Sequence, residues 1–250
     1  MEKTLVIIDG NSIINRAFYA IPDLTNKQGL HTNAIYGFTT MLFKIIDTYN
    51  PTHISVAFDK KAPTFRHLEY KGYKAGRKKM PPELAEQFPL IKEVLNLLAI
   101  NIYEIDGFEA DDIIGTLAKF AESNGIEVFI VTGDRDALQL ATDNIKVVIT
   151  KKGVTETAVY NREAFEAEFG VTPTQYIDVK GLMGDKSDNI PGVAGIGEKG
   201  ALMLRLKGEY CGLVEKLVGG VQCNVIAPSA YAIVSTAKLQ GMDGKTVTVE

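Results

Sequence analysis

Tryptophan is absent from this chain, and only two cysteines and three histidines stand among its 250 residues. His31, His53 and His67 fall in no metal-ligand spacing, which argues against a zinc centre built from clustered histidine and cysteine. Cys211 and Cys223 both lie in the last 40 residues. They are too few for a disulfide-stapled scaffold, and two free thiols are expected. No apolar run approaches the roughly 20 residues that span a bilayer, so no membrane partner is expected. At the N-terminus only Leu5-Val6-Ile7-Ile8 precedes Asp9, too short for the apolar core of a secretory signal. A soluble, intracellular protein is the expectation. Positive charge is not in excess either: 27 basic residues face 31 acidic ones, a net charge of −4. Whole-chain charge therefore does not advertise a nucleic-acid partner.

What is present is an ordinary globular composition, 46% hydrophobic and 23% charged, enough for a sizeable core. Short apolar runs over 4–8, 53–58, 101–105 and 127–131 read as strands. Helical spacing links Ile35, Phe38, Leu42, Ile45, Ile46 and Tyr49, and again Leu84, Phe88, Ile91, Leu95 and Leu98. A third stripe, Ile113 to Ala121, is stopped by Asn124-Gly125. Strands alternating with helices predict an α/β fold around a central, mostly parallel sheet flanked by helices.

In such a sheet, ligands gather at the carboxyl ends of the strands. Acidic residues recur there: Asp9, then Asp59, then Glu109, Asp111 and Asp112 opening a helix, then Asp134 and Asp136. Singly, each could be a turn residue or a helix cap. Together they are costly, because two like charges 4 Å apart repel by about 4 kcal/mol at an effective dielectric near 20. Divalent cations relieve that cost, and oxygen-only ligands favour Mg²⁺, with Mn²⁺ as a substitute. Such sites commonly act on phosphate esters. An aspartyl-nucleophile phosphatase is the chemical rival, but the position two after Asp9 is Asn11.

Two segments break the strand–helix rhythm. Residues 60–79 carry eight basic side chains against Glu69 alone, with Tyr70 and Tyr73 interleaved. Lysines and arginines there could bind phosphates, and the tyrosines could stack on exposed bases. With no apolar periodicity of its own, the segment is expected to order only on binding. The second, Gly184 to Gly192, brings Asp185 and Asp188 and precedes Gly195-Ile196-Gly197-Glu198-Lys199. Glycines followed by a helix start near Glu198 can cradle a phosphate, although a simple turn fits the bare pattern as well.

These motifs, in this order, resemble the 5′-nuclease domain of bacterial DNA polymerase I. The resemblance rests on Asp9-Gly10-Asn11-Ser12, Arg16-Ala17-Phe18-Tyr19, Ala57-Phe58-Asp59, Phe65-Arg66-His67, Tyr73-Lys74-Ala75-Gly76-Arg77 and Gly107-Phe108-Glu109-Ala110-Asp111-Asp112. Thr132-Gly133-Asp134-Arg135-Asp136, Gly184 to Gly192 and Gly195 to Lys199 complete it. It implies a resolvase-like core over 1–172 with a basic helical arch over 60–82. A helix-hairpin-helix region over 173–250 would follow, divergent from about 206. The implied metal ligands are Asp9, Asp59, Glu109, Asp111, Asp112, Asp134, Asp136, Asp185 and Asp188, the last four weighted to a second ion. Lys74, Arg77 and Arg16 would meet the reacting phosphate. Arg66, Tyr70, Tyr73, Lys78, Gly195, Gly197 and Lys199 would hold DNA, with K⁺ at the hairpin. The implied activity is 5′→3′ exonuclease and flap endonuclease action on duplex DNA with a 5′ end or flap, in replication and repair. A cytoplasmic, nucleoid-associated monomer is implied, with a polymerase fused or separate. Gly200 departs from the pattern and is expected to weaken the last helix locally. The alternatives are a PIN-type ribonuclease and a non-catalytic module that binds branched DNA.

Overall fold

The computed structural model describes residues 3–151 and 156–206. The divergent tail beyond Leu206, with Cys211 and Cys223, lies outside them.

Six strands form one sheet: β1 (Thr4–Asp9), β2 (His53–Ala57), β3 (Asn101–Tyr103), β4 (Glu127–Thr132), β5 (Ile145–Thr150) and β6 (Thr157–Tyr160). Their order is β3-β2-β1-β4-β5-β6, parallel throughout except for the antiparallel edge strand β6. The sequence pattern assigns the first four strands; β5 and β6 add to them. Because side chains alternate across a strand, β1 serves two cores. Ile7 joins Val128, Ile130 and Val147 on one face, and Val6 and Ile8 join Val56, Val131 and Val148 on the other.

Helices cover both faces. Helix α1 (Gly10–Ala20) and α2 (Asn33–Tyr49) pack on the second face, α2 through Ala34, Phe38, Met41, Leu42 and Ile45. There they are joined by α5 (Gln87–Leu97), which follows the single turn α4 (Pro82–Ala85). The first face takes α6 (Ala110–Ser123), α7 (Arg162–Phe169) and α8 (Pro173–Met183). A glycine-rich loop leads from α8 to α9 (Glu198–Leu206), which runs through Gly200 without interruption. No helix among the described residues is long and apolar enough to cross a membrane.

The chain builds β1, β2 and β3 outward to one side, then returns to add β4 and β5 on the other. The direction of winding reverses between β1 and β4, and that crevice is where such sheets bind ligands. Asp9 ends β1 at this crevice, and Asp134 follows β4.

Residues 60–82 are folded, contrary to the expectation that they order only on binding. They hold one short helix, α3 (Phe65–Glu69), and are pinned to the loop after α8. The Lys74 amide donates to the Asp188 carbonyl at 2.9 Å, and Asn189 Nδ2 donates to the Gly72 carbonyl at 2.8 Å. Tyr73 and Ile190 form a small buried cluster with Tyr70 against it. A partner for the segment exists, but it lies more than a hundred residues away in sequence.

Candidate metal centre

Asp9 is positioned twice over. It caps α1, accepting the Ser12 amide at 3.0 Å, and accepts the Thr132 hydroxyl at 2.7 Å across the crevice. The turn beneath it is tight: a Cβ at Gly10 would stand 2.2 Å from the Phe58 ring, so only glycine fits. Asp59, just past β2, accepts the Ala110 amide at the start of α6 at 2.7 Å. Asp134 accepts the Asp136 amide at 2.8 Å in the turn after β4. The loop after α8 closes the site through an interlock in which a Cβ on Gly184 would meet the Gly192 nitrogen at 2.2 Å.

The result is two adjoining cavities of about 400 and 460 Å³ that share Ser12, Lys74, Arg77, Glu109, Asp111 and Asp134. Eight of the nine expected acids line them: Asp9, Asp59, Glu109, Asp111, Asp134, Asp136, Asp185 and Asp188. Asp112 does not. It is fully buried at 0% exposure, and both of its oxygens accept from Arg66, at 2.7 and 2.8 Å. It also accepts the Glu109 amide at 3.0 Å. A carboxylate so completely satisfied is a structural brace rather than a ligand. Arg66 is committed to the same brace: it is 5% exposed, Asp112 holds it above its ordinary pKa despite burial, and it reaches the wall of the first cavity.

Tyr73 also departs from expectation. It is 4% exposed and cannot stack on a base; its hydroxyl donates to Glu109 Oε2 at 3.0 Å. Burial, then the Glu109 charge, pushes its pKa far up, so it remains a donor. Tyr70 is half-buried, and its hydroxyl donates to the Asn189 carbonyl. Arg16 donates to the Lys151 carbonyl at 2.8 Å and does not line the cavities. Lys78 is exposed and lines one of them. Gly195 and Gly197 line a third cavity beside the α8–α9 loop, with Lys199 exposed nearby on α9.

Lys74 and Arg77 reach the acids from the arch. Lys74 Nζ lies 2.8 Å from Glu109 Oε1, on a backbone held at φ 56°, a left-handed conformation uncommon for lysine. Arg77 pairs with Asp188. A third cation was not indicated by the sequence motifs: Lys180 on α8, 2.8 Å from Asp136 and 3.6 Å from Asp185. Its place one helical turn before the second acidic loop is the signal that could have found it.

The electrostatics show strong crowding. Burial, offset in part by the Ser12 and Thr132 hydrogen bonds, pushes Asp9 up to about 7. Burial and then Asp134 push Asp136 up to about 6. Asp111 is raised by burial, then by Asp134, Asp9 and Asp59, and Asp59 is raised chiefly by burial. Burial also acts on Asp185, but Ser187 and Lys180 outweigh it and hold that carboxyl below its ordinary value. Among the described residues no three of these side chains meet as a closed coordination shell. The donor set nonetheless fits hard divalent cations: oxygens only, several reluctant to ionise without added positive charge.

Comparison with known proteins agrees with this architecture. The profile of the 5′-3′ exonuclease N-terminal resolvase-like domain matches residues 4–170, and that of the C-terminal SAM fold of 5′-3′ exonucleases matches 171–219. The second match runs past Arg205, further than the sequence motifs reach. DNA polymerase I of Bacillus caldotenax is 56% identical over 204 residues, 82% of this chain but 23% of the relative, so the chain spans about a quarter of that protein's length. Among solved structures, the T5 D15 protein co-crystallised with metal ions superposes with a TM-score of 0.69 at 22% identity, covering 96% of this chain and 95% of that one. Flap endonuclease-1 from Methanococcus jannaschii gives 0.62 at 18% identity, covering 94% and 79%. With both domain profiles matched in order along one polypeptide, the chain belongs to the 5′-3′ exonuclease family.

Proposed function

We propose that this chain hydrolyses DNA phosphodiesters at 5′ ends and 5′ flaps with Mg²⁺ ions held by the acidic cavity. One observation carries the reading: eight carboxylates from the ends of three strands, the start of α6 and a distant loop line two adjoining cavities, and two cations of the arch reach into them. When bound, divalent ions would supply an activated water and stabilise the leaving oxygen. Asp9, Asp59, Glu109, Asp111, Asp134, Asp136, Asp185 and Asp188 are the residues to hold them. Lys74 and Arg77, released from Glu109 and Asp188, would take the phosphate oxygens and the charge that develops on them. Ser12 and Lys78, at the cavity wall, are placed to orient the strand.

On this reading residues 1–172 carry the chemistry, and the region from 173 grips duplex DNA through the glycine loop at Gly195 and Gly197, with Lys199 and a K⁺ ion assisting. The partner is duplex DNA with a 5′ end or flap, acted on by a monomer in the cytoplasm at the nucleoid, alongside a polymerase in the same polypeptide or another. An end-labelled 5′-flap duplex, incubated with Mg²⁺ or EDTA beside Asp134→Ala, tests the proposal. Metal-dependent cuts near the branch, absent in the variant, are expected. Tight flap binding without cleavage would support a binding module instead, and preferential cleavage of the RNA counterpart would support a ribonuclease.

A further inference from the structure

A further cavity, of about 310 Å³, shares Asp59, Glu109, Lys74 and Arg77 with the acidic one but includes none of Asp111, Asp134 and Asp136. The rest of its wall comes largely from the segment just after β2, including Lys60, Lys61 and His67. This wall is rich in donors. Lys61 is exposed and has no ion-pair partner among the described residues. Lys60 pairs at 3.2 Å with Asp106, itself 73% exposed, a surface contact that is readily exchanged. His67 Nδ1 accepts the Thr64 amide at 3.2 Å, which places the proton of the neutral ring on Nε2 as a donor. Of the two acids on the wall, Asp59 accepts the Ala110 amide, and Glu109 is paired with the wall's own Lys74 and accepts the Tyr73 hydroxyl.

We propose that this cavity is a subsite for the substrate phosphate one step 5′ of the scissile bond. The inference rests on reading the chain as a 5′-nuclease and adds a chemical preference to it. Lys74 and Arg77 line both cavities, so a phosphate among the carboxylates and its 5′ neighbour would straddle the same two cations. The volume lies at the small end for ligand pockets, enough for a phosphate with its sugar and too little for a folded strand. The phosphate has two sources. A nicked duplex offers a terminal 5′-phosphate, and a flap offers its first internal phosphodiester. A nick ending in a 5′-hydroxyl offers neither.

The test is fluorescence anisotropy in EDTA with three labelled nicked duplexes. The first has a 5′-phosphate, the second a 5′-hydroxyl, and the third one extra 5′ nucleotide ending in a hydroxyl. Wild-type protein is expected to bind the first and third about tenfold more tightly than the second, the scale of one charge-assisted contact. In a Lys60→Ala, Lys61→Ala double variant the ratio should fall towards parity, and Lys61→Arg should retain it. Both changes lie on the surface, and a matching thermal melt establishes that the fold is intact. A gain from only the terminal phosphate, or only the added nucleotide, supports the subsite and names its occupant. Equal binding of phosphate and hydroxyl ends by wild type, or an undiminished preference in the double variant, overturns it. Cleavage of the same duplexes with Mg²⁺ is scored separately, so failure of the nuclease reading would show as uncut DNA whatever the binding ratio.

Discussion

On one side of the acidic cavity Asp9, Asp59, Asp111 and Asp134 meet hydroxyls, backbone amides and one another, with no ion pair among the described residues. On the other side Glu109, Asp136, Asp185 and Asp188 each meet a lysine or arginine. The first side therefore lacks a paired cation, and burial with the neighbouring carboxylates raises Asp9 and Asp111; on the second each acid has a cationic partner, although burial and Asp134 still raise Asp136. The difference suggests an order of events: an ion enters the first side by displacing protons alone, and must compete with Lys180, Lys74 or Arg77 on the second. Asp134 stands between the two sides: the family resemblance weights it to the second ion, and its charge acts on Asp136 as well as on Asp9 and Asp111.

The sharpest break in the comparison is Asp134→Ala. Removing a ligand that has no paired cation should lower cleavage about a thousandfold, ~4 kcal/mol of transition-state stabilisation. Metal-free stability should hold or rise, because one repelling charge is gone; single-turnover cleavage and urea unfolding of the same preparation read the two effects. Asp112→Ala should reverse that pattern. It leaves Arg66 buried and unpaired, and should cost about 3–5 kcal/mol in urea unfolding. Should unfolding be unchanged while metal binding is lost, Asp112 would have to be returned to the ligand set.

Lys180→Met sharpens the other side. Without its ammonium, Asp136 and Asp185 repel, so metal-free stability should fall by about 1–2 kcal/mol. The second ion should then bind a few-fold more tightly, as calorimetric titration with Mn²⁺ would show. Weaker binding of that ion would mean that Lys180 organises the subsite rather than occupying it.

The smallest effect concerns pH. Asp9 is raised from 3.8 to about 7 and Asp136 from 3.8 to about 6, so each favours the folded state fully below about pH 4. That contribution is lost as pH rises through 6 to 7, where folded carboxylates must ionise against one another. Mg²⁺ binds the ionised form, so the rise in Tm that it produces should grow between pH 5.5 and 8. A Tm increment independent of pH across that window would count against this assignment.

Much of this was legible in the sequence, for physical reasons. Runs such as Thr4 to Ile8 could only be buried strands, and an acid at the end of each in a parallel sheet has to lie on one rim. Charge and aromatic counts could not separate buried members of a segment from exposed ones. Arg66 and Tyr73 look like their neighbours Lys71 and Tyr70, and only the three-dimensional partners Asp112 and Glu109 distinguish them. Lys180 escaped because its one signal is its place a helical turn before the second acidic loop, and a single lysine in a helix carries no spacing pattern to draw the eye there. The fold of residues 60–82 escaped because its support comes from residues 184–190, a contact that local periodicity cannot encode.

Anomalous diffraction from crystals soaked in rising Mn²⁺ would test the two-sided cavity most directly. A first peak is expected among Asp9, Asp59, Asp111 and Asp134 with Lys180 still on Asp136. A second peak should appear only at higher concentration, with Lys180 displaced. A first peak between Asp136, Asp185 and Asp188 would contradict it.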